Sequence, residues 1–212
     1  MTAVHREQVS GCTACFVLSS SFRLRPFTET VILITQEREE LYMKKIVLAS
    51  ASPRRRELLS QVGVAFEVKP ASGEERITSA EPAKVVEELS RQKAMFTAYA
   101  LEEEENRDLR DVVVIGADTV VSYEGKILGK PADETAAIEM LAMLQGNTHQ
   151  VYTGVTLLIR EKGRWKAHTF HECTDVSFYP VTEEEIKEYV NSKDPMDKAG
   201  SYGIQGAWGA YV

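Results

Sequence analysis

A loop rich in hydroxyl and guanidinium groups lies between the apolar run 46–49, the first predicted strand, and a predicted helix. Ser50 and Ser52 contribute hydroxyls, and Arg54 and Arg55 stand in the first turn of that helix. Helix N-termini present unpaired N–H donors and a partial positive charge, and arginine binds phosphate oxygens through two parallel hydrogen bonds. The loop therefore predicts a phosphate-binding site. A capped helix start beside a solvated basic face is the alternative that this segment alone leaves open.

Asp118 is the second candidate for chemistry. It follows the apolar run 112–115, which is typical of a strand buried on both faces and which we expect to end at Gly116. Asp118 would then emerge at the carboxyl end of that strand, the edge where open α/β sheets bind ligands. A carboxylate there can hold a divalent ion or orient water for attack at phosphorus. An aspartate that only makes a turn is the alternative.

Two lysines have surroundings that suggest a function. Lys93 interrupts an apolar helical stripe between Leu89 and Phe96, so its ammonium is a candidate for a polar cleft. Lys130 precedes Pro131, which favours extended backbone and can aim the ammonium. The alternative for Lys93 is a side chain that runs along the helix edge to water. Lys130 is a weak indication by itself.

Two further segments carry polar groups that suit a nucleotide site. The pair Glu74-Glu75 lies in a polar loop, where a carboxylate can add a ligand to a hard divalent cation. A solvated charge pair is the alternative there. The glycine-rich tail 196–206 carries Gln205, whose amide we expect to be buried and able to bind a base edge through its paired donor and acceptor.

The composition favours one enzyme-sized domain. The 212 residues are 43% hydrophobic and carry a net charge of -7, which disfavours a protein that wraps nucleic acid. Three cysteines, at positions 12, 15 and 173, are too few and too unevenly spaced for a disulfide framework, and they fit a reducing, cytoplasmic setting. No apolar run approaches the roughly 20 residues that span a bilayer. We therefore expect a soluble protein without a membrane partner.

Strands and helices alternate from Lys45 onward, which predicts an α/β fold with a mixed twisted sheet, flanking helices and a long antiparallel hairpin. We expect strands at 46–49, 66–69, 112–115, 120–122, 126–128, 150–160 and 165–178, and helices at 53–61, 82–101, 133–144 and 182–192. Turn signals predict hairpins between 120–122 and 126–128 and between 150–160 and 165–178. Thr182 and Glu185 predict a capping box at the last helix.

Residues 1–43 lack the sustained periodicity of the rest of the chain. Met43 is a plausible internal start, so we predict a domain at 44–212 preceded by a leader that is disordered or a start-site artefact. A targeting role is the alternative, although Glu7 and Glu29 weaken it.

Five short motifs occur in order along the chain. They are LASASPRR at 48–55, GADT at 116–119, LGKP at 128–131, YTGV at 152–155 and DKAG at 197–200. This set resembles the Maf family of nucleoside triphosphate pyrophosphatases from about Lys45 to the end of the chain. The resemblance implies a Maf/inosine-triphosphatase-like fold and hydrolysis of a nucleoside triphosphate to the monophosphate and pyrophosphate, which can remove non-standard nucleotides. It also implies a divalent cation (Mg²⁺ or Mn²⁺), a cytoplasmic location and often a homodimer.

The resemblance also assigns roles to individual residues. It makes Asp118 the proton acceptor and, together with Glu75, a metal ligand. It also implies that four residues line the substrate phosphates: Ser50, Arg55, Lys93 and Lys130.

Three positions separate branches of the family. Arg54, Thr119 and Gln205 match the branch that resembles dTTP and UTP pyrophosphatases. The branch that acts on methylated GTP carries different residues there. The resemblance therefore predicts a pyrimidine preference.

Two features depart from the family pattern. The leader has no counterpart, and the chain ends at Val212, where relatives usually continue with another glycine-rich strand and a helix. The resemblance thus implies a C-terminally truncated domain. A nucleotide-binding regulator of cell division, consistent with the family's reputed link to arrest of septum formation, and an inactive truncated relative are the alternatives to an active enzyme.

Overall fold

The computed structural model describes residues 44–104 and 108–212, so the predicted leader at 1–43 lies outside the described residues. Within the described ranges the chain forms six strands and four α-helices. The strands are β1 (Lys45–Leu48), β2 (Phe66–Val68), β3 (Val112–Tyr123), β4 (Lys126–Leu128), β5 (Thr148–Glu161) and β6 (Arg164–Ser177). The α-helices are α1 (Pro53–Gln61), α2 (Pro82–Glu102), α3 (Glu134–Leu144) and α4 (Glu183–Asn191). Short 3-10 helices follow at Asp194–Asp197, Ala199–Ser201 and Ala207–Tyr211.

The strands form one mixed sheet in the order β2-β1-β3-β5-β6, with β4 paired to β3. β1 is parallel to both β2 and β3, whereas β3 pairs antiparallel with β4 and β5, and β5 pairs antiparallel with β6. This arrangement confirms the predicted α/β class, the mixed sheet and both hairpins.

Local sequence signals account for the helix boundaries. α1 has proline in its first turn, where the missing N–H costs little. Asp133 caps α3 by accepting a hydrogen bond from the Ala136 N–H at 2.8 Å. The predicted capping box of α4 is confirmed, because Thr182 and Glu185 each accept a hydrogen bond from the backbone N–H of the other.

The predicted end of a strand at Gly116 is wrong. β3 runs without interruption from Val112 to Tyr123, so it includes Asp118 and the predicted separate strand 120–122. Gly116 is required by packing rather than by a turn, because a Cβ there would lie 2.2 Å from the Ser90 carbonyl oxygen of α2. A Cβ on Gly154 of β5 would lie 2.2 Å from the Val86 carbonyl oxygen of the same helix. The two glycines therefore let α2 pack directly on the backbones of β3 and β5.

A gap opens along one edge of β3. β1 pairs with it only as far as Leu48 opposite Ile115, and β4 pairs with it only from Val121 onward. β5 occupies the other edge throughout 113–122, so β1 and β4 share the same edge. Within the described residues, positions 116–120 thus have no strand partner on that edge, and the loop after β1 runs beside them.

An aromatic cluster around the last 3-10 helix packs the C-terminal part of the chain together. Trp208 is fully buried and packs against Tyr189, Phe178 and Tyr211. Burial of large aromatic side chains holds the 3-10 helices against α3, α4 and the sheet. In the described ranges, no helix is both long and apolar enough to cross a membrane.

Candidate active site

Arg55 clamps the loop after β1 to the open edge of β3. Its Nη1 donates to Ser50 Oγ at 3.1 Å, and its Nη2 donates to Thr119 Oγ1 at 3.4 Å. Ser50 Oγ also accepts from the Ser52 N–H at 3.2 Å, whereas Ser52 makes no side-chain cap for α1. The hydroxyl and the guanidinium are therefore organised around the loop and not around a capped helix start.

The charge on Arg55 lies in a partly desolvated place. Burial lowers the pKa of Arg55, and the neighbouring Arg54 lowers it further, while the carboxylates of Asp118 and Glu75 oppose the shift. Because an arginine side chain keeps its proton in proteins, the result is a fixed cation that is partly shielded from water. Such a group attracts a phosphate oxygen more strongly than an exposed one does.

Lys93 of α2 meets Asp118 of β3 next to this clamp. The Lys93 ammonium forms an ion pair with Asp118 Oδ1 and lies 3.4 Å from Glu75 Oε1. The side chains of Lys93 and Asp118 are 18% and 14% exposed, which contradicts the alternative in which Lys93 runs along the helix edge to water. The close packing at Gly116 brings the two residues together, because it sets α2 directly above this part of β3.

Two side chains of α2 that were not predicted as site residues hydrogen-bond to the loop that carries Glu75. Gln92 accepts from the Arg76 N–H at 2.8 Å and donates to the Arg76 carbonyl oxygen at 2.6 Å. Glu88, one turn earlier on α2, accepts from the Thr78 N–H at 2.9 Å. Glu88 and Gln92 are polar residues four positions apart on the same helix as Lys93, and this spacing is the sequence signal that could have revealed the contact.

The structure does not bring all of the predicted site residues into contact. Thr119 contacts Arg55, whereas Arg54 lies 3.6 Å from Asp197 of the first 3-10 helix. Lys130 is exposed, and among the described residues it forms no hydrogen bond or ion pair with the other predicted ligands. Gln205 is exposed as well, so its predicted burial is wrong. The tail turns at Gly203–Gly206 and leaves the amide on the surface, because Trp208 and not Gln205 enters the core.

Comparison with known proteins identifies the family. The sequence model described as Maf-like protein matches residues 45–212. The chain belongs to the Maf family.

Relatives within the Maf family are similar over most of the chain. A dTTP/UTP pyrophosphatase of Agathobacter rectalis is 57% identical over 80% of this chain and 86% of its own length. A dTTP/UTP pyrophosphatase of Bacillus cereus is 48% identical over 86% of this chain and 84% of its own length. A third protein with the same name, from Bacillus thuringiensis subsp. konkukian, is 50% identical over 80% of this chain and 83% of its own length.

Three of the five motifs meet at β3 near Asp118 and Thr119. The first joins β1 to α1 and carries Arg55, and the second lies within β3 and carries Asp118. The YTGV motif lies in β5, where Gly154 pairs with Asp118 and Thr153 shares a 3.1 Å hydrogen bond with Thr119. Thr153 therefore supports the hydrogen bond between Thr119 and Arg55, a role that was not predicted from the sequence.

The two predicted metal ligands share one neighbour. Both Asp118 and Glu75 face the Lys93 ammonium, so their carboxylates point into a common space. Within the described residues no group of three or more His, Cys, Asp or Glu side chains converges on a metal site. Two carboxylates nevertheless suit Mg²⁺ or Mn²⁺, because Mg²⁺ usually takes one or two protein carboxylates and completes its shell with water and substrate phosphates.

Proposed function

We propose that this Maf protein hydrolyses nucleoside triphosphates to nucleoside monophosphates and pyrophosphate, with dTTP and UTP as preferred substrates. The observation that carries the proposal is the pair Asp118 and Thr119, adjacent on β3 at its open edge. Asp118 faces the Lys93 ammonium, and Thr119 accepts a hydrogen bond from Arg55. Asp118 is also near enough to Arg55 for its charge to oppose the lowering of the Arg55 pKa, so an acid–base group and a phosphate-binding cation share this edge. The relatives named dTTP/UTP pyrophosphatase support the same reaction.

The residues divide the work between proton transfer and charge stabilisation. Water attacks the α-phosphorus, and the Asp118 carboxylate accepts the proton that the water loses. The bond between the α-phosphorus and the oxygen that bridges to the β-phosphorus breaks, and its electron pair leaves with pyrophosphate. Arg55, Lys93 and Lys130 neutralise the charge that develops on the phosphates, with Ser50 as a hydroxyl ligand.

We propose Asp118 and Glu75 as the protein ligands of a divalent cation, Mg²⁺ or Mn²⁺. The common space in front of their carboxylates supports this assignment. When bound, the ion would supply neutralisation of charge on the triphosphate. Lys93 balances the two carboxylates when neither ion nor substrate is there, and it adds a positive charge beside the phosphates when they are.

The choice of base is assigned to Arg54, Thr119 and Gln205. Gln205 is exposed and therefore accessible to a ligand, and the residue after it lies beside Asp194, in the same 3-10 helix as the Arg54 partner Asp197. Thr119 and Arg54 flank Arg55, so a nucleotide gripped by Arg55 has both within reach of its nucleoside end. These placements support a role in selection without direct contact among the three.

The experiment is a panel of triphosphates incubated with the purified chain and Mg²⁺ or Mn²⁺. We expect equal amounts of pyrophosphate and monophosphate, formed fastest from dTTP and UTP. Faster turnover of methylated GTP would contradict the pyrimidine preference. Nucleotide binding without pyrophosphate release would favour the regulator of cell division, and neither binding nor turnover would favour an inactive relative.

We also propose a homodimer built on β6. This strand of 14 residues lies at the edge of the sheet and is mostly exposed. Its first half carries Arg164 and Lys166 and its second half Glu172 and Asp175, so two antiparallel copies would match opposite charges. A register centred on Thr169 sets Lys166 opposite Glu172 of the second copy. Lys166→Glu should yield a monomer by light scattering, and adding Glu172→Lys should restore the dimer; a monomeric wild type would contradict it.

We propose that the reaction takes place in the cytoplasm. Cys173 is free and exposed, which suits a compartment that keeps thiols reduced. The net charge of -7 supports a small-molecule triphosphate, bound by a local cluster of cations, as the partner instead of a nucleic acid polymer. Fractionation of cells that express the full chain, with a cytoplasmic marker alongside, tests the location.

A further inference from the structure

A buried lysine organises the turns that follow α4. Lys198 is 8% exposed, and its ammonium donates to the carboxylates of Asp194 and Asp197, each at 2.8 Å. Asp194 also accepts from the Tyr189 hydroxyl of α4 at 2.7 Å. Gly203 leaves room for the lysine, because a Cβ there would lie 2.8 Å from Lys198 Cε. Two carboxylates therefore share one buried cation, and the turn is held as a unit.

Asp197 connects this cluster to the phosphate loop. Its Oδ1 accepts from Lys198, whereas its Oδ2 lies 3.6 Å from Arg54 Nη1. Arg55, the next residue, directs its guanidinium to Thr119 instead. Adjacent guanidinium groups repel each other and the Asp197 carboxylate attracts Arg54, so both interactions favour an Arg54 side chain turned toward the 3-10 helices.

The same turn supports the tail that carries Gln205. Asp194 Oδ2 would lie 3.3 Å from a Cβ on Gly206, so this carboxylate flanks the residue after Gln205. The Gly200 N–H donates to the Gly129 carbonyl oxygen at 3.0 Å, which ties the turn to the loop after β4. One acidic cluster therefore pairs with Arg54 and lies beside the residue that follows Gln205.

We propose that Asp194, Asp197 and Lys198 form a positioning cluster that orients Arg54 and thereby contributes to the selection of the base. The inference rests on the proposed function, because it concerns discrimination among triphosphates at the same site. Asp197 acts through Arg54 and is a positioning residue. Its loss should change the relative rates on different bases while the Arg55 clamp keeps its own contacts.

The test is a double-mutant cycle between Asp197→Asn and Arg54→Ala. The quantity measured is the ratio of kcat/KM for dTTP to kcat/KM for GTP. We expect Asp197→Asn to lower this ratio about three- to fivefold, the size of effect that a partly exposed ion pair can have. In the Arg54→Ala background the same substitution should change the ratio by less than about twofold, because the residue through which it acts is gone.

Three controls separate positioning from a merely structural role. Asp197→Glu keeps the charge and should restore most of the ratio, and Asp108→Asn, at the opposite end of β3, should leave it unchanged. Thermal unfolding of each variant shows whether the fold is retained. Equal loss on both substrates, or independent effects of the two substitutions in the cycle, would overturn the inference. A wild type that releases no pyrophosphate would instead overturn the proposed function, so the two failures are distinct.

Discussion

Lys93 and Asp118 form an ion pair that links α2 to β3 at the open edge of that strand. The pair exists because two glycines let the helix lie on the backbone of the sheet, and because β1 ends before it reaches Asp118. Both partners sit on regular elements and not on loops, which favours a precise geometry. The site is therefore set by packing in the sheet as much as by its own side chains.

Arg55→Lys should lower kcat/KM for dTTP by about 10²-fold, because a lysine ammonium cannot bond Ser50 and Thr119 and still present a planar fork to phosphate. Steady-state kinetics measures the change. Arg56→Lys is the matched control, since Arg56 is exposed and donates to the Ala51 carbonyl oxygen at 2.9 Å. Its effect should stay within about twofold. Equal effects of the two substitutions would contradict the clamp.

Gln92→Ala should raise the Mg²⁺ concentration required for half-maximal activity by about tenfold, with little change in rate at saturating Mg²⁺. The amide holds the backbone of Arg76 and so the position of Glu75, and loss of such supporting contacts commonly weakens metal binding by 10- to 100-fold. Gln150→Ala is the control, because Gln150 bonds Asp175 on the exposed hairpin. An unchanged Mg²⁺ requirement in Gln92→Ala would contradict the assignment of Glu75 as a metal ligand positioned by Gln92.

Gly116→Ala should destabilise the domain by about 3 kcal/mol in urea unfolding, because the added methyl would meet the Ser90 carbonyl oxygen at 2.2 Å and the helix must move. Gly129→Ala is a matched control with no atom within 4 Å of the added Cβ. It should leave the free energy of unfolding nearly unchanged. Equal stability of both variants would mean that α2 does not approach β3 so closely.

His149 should make the stability of the domain depend on pH between 7.5 and 5. The side chain is fully buried, its Nε2 is hydrogen-bonded to the Tyr202 hydroxyl at 2.7 Å, and its Nδ1 meets no partner within the described residues. Burial lowers the pKa of His149 to about 4. Between the unfolded value near 6.5 and this folded value, the unfolded chain binds a proton that the folded chain does not, so stability falls as the pH falls.

The loss attributable to His149 should be about 2 kcal/mol of unfolding free energy between pH 7.5 and pH 5. Urea unfolding at both pH values measures it, and His149→Gln should remove that part of the dependence. His168→Gln, on the exposed strand β6, serves as the matched substitution and should keep the wild-type behaviour. If His149→Gln retained the full dependence, other groups would be responsible.

Much of the fold could be predicted from local signals. Pro53 predicts the start of α1 because its ring fixes φ, and Lys162-Gly163 predicts the turn between β5 and β6 because glycine readily adopts the positive φ found there. The continuity of β3 could not be predicted, since a glycine after an apolar run is read as a turn unless the helix that packs on it is known. The predicted burial of Gln205 was wrong for a similar reason. Tertiary packing places Trp208, and not Gln205, in the core.

The candidate site shows the same division. Ser50, Arg55 and Asp118 were indicated by residue type and motif, and the structure places Arg55 against Ser50 and Asp118 against Lys93. Gln92 was not indicated, because its partner Arg76 lies in a loop that precedes α2 in the sequence. The role of Lys198 was not indicated either, because its burial depends on tertiary packing although its partners Asp194 and Asp197 are close in sequence. Motifs identify the groups that act, whereas the contacts that hold them depend on tertiary packing.

Pyrophosphate release from dTTP in the presence of Mg²⁺, compared between the wild type and Asp118→Asn, tests the central claim most directly. We expect stoichiometric pyrophosphate and monophosphate from the wild type and a rate about 10²- to 10⁴-fold lower in the variant, which loses the proton acceptor. Glu74→Gln, beside Glu75 in the exposed loop, should behave as the wild type does. Near-normal turnover by a folded Asp118→Asn variant, or release of single phosphates by the wild type, would contradict the proposal.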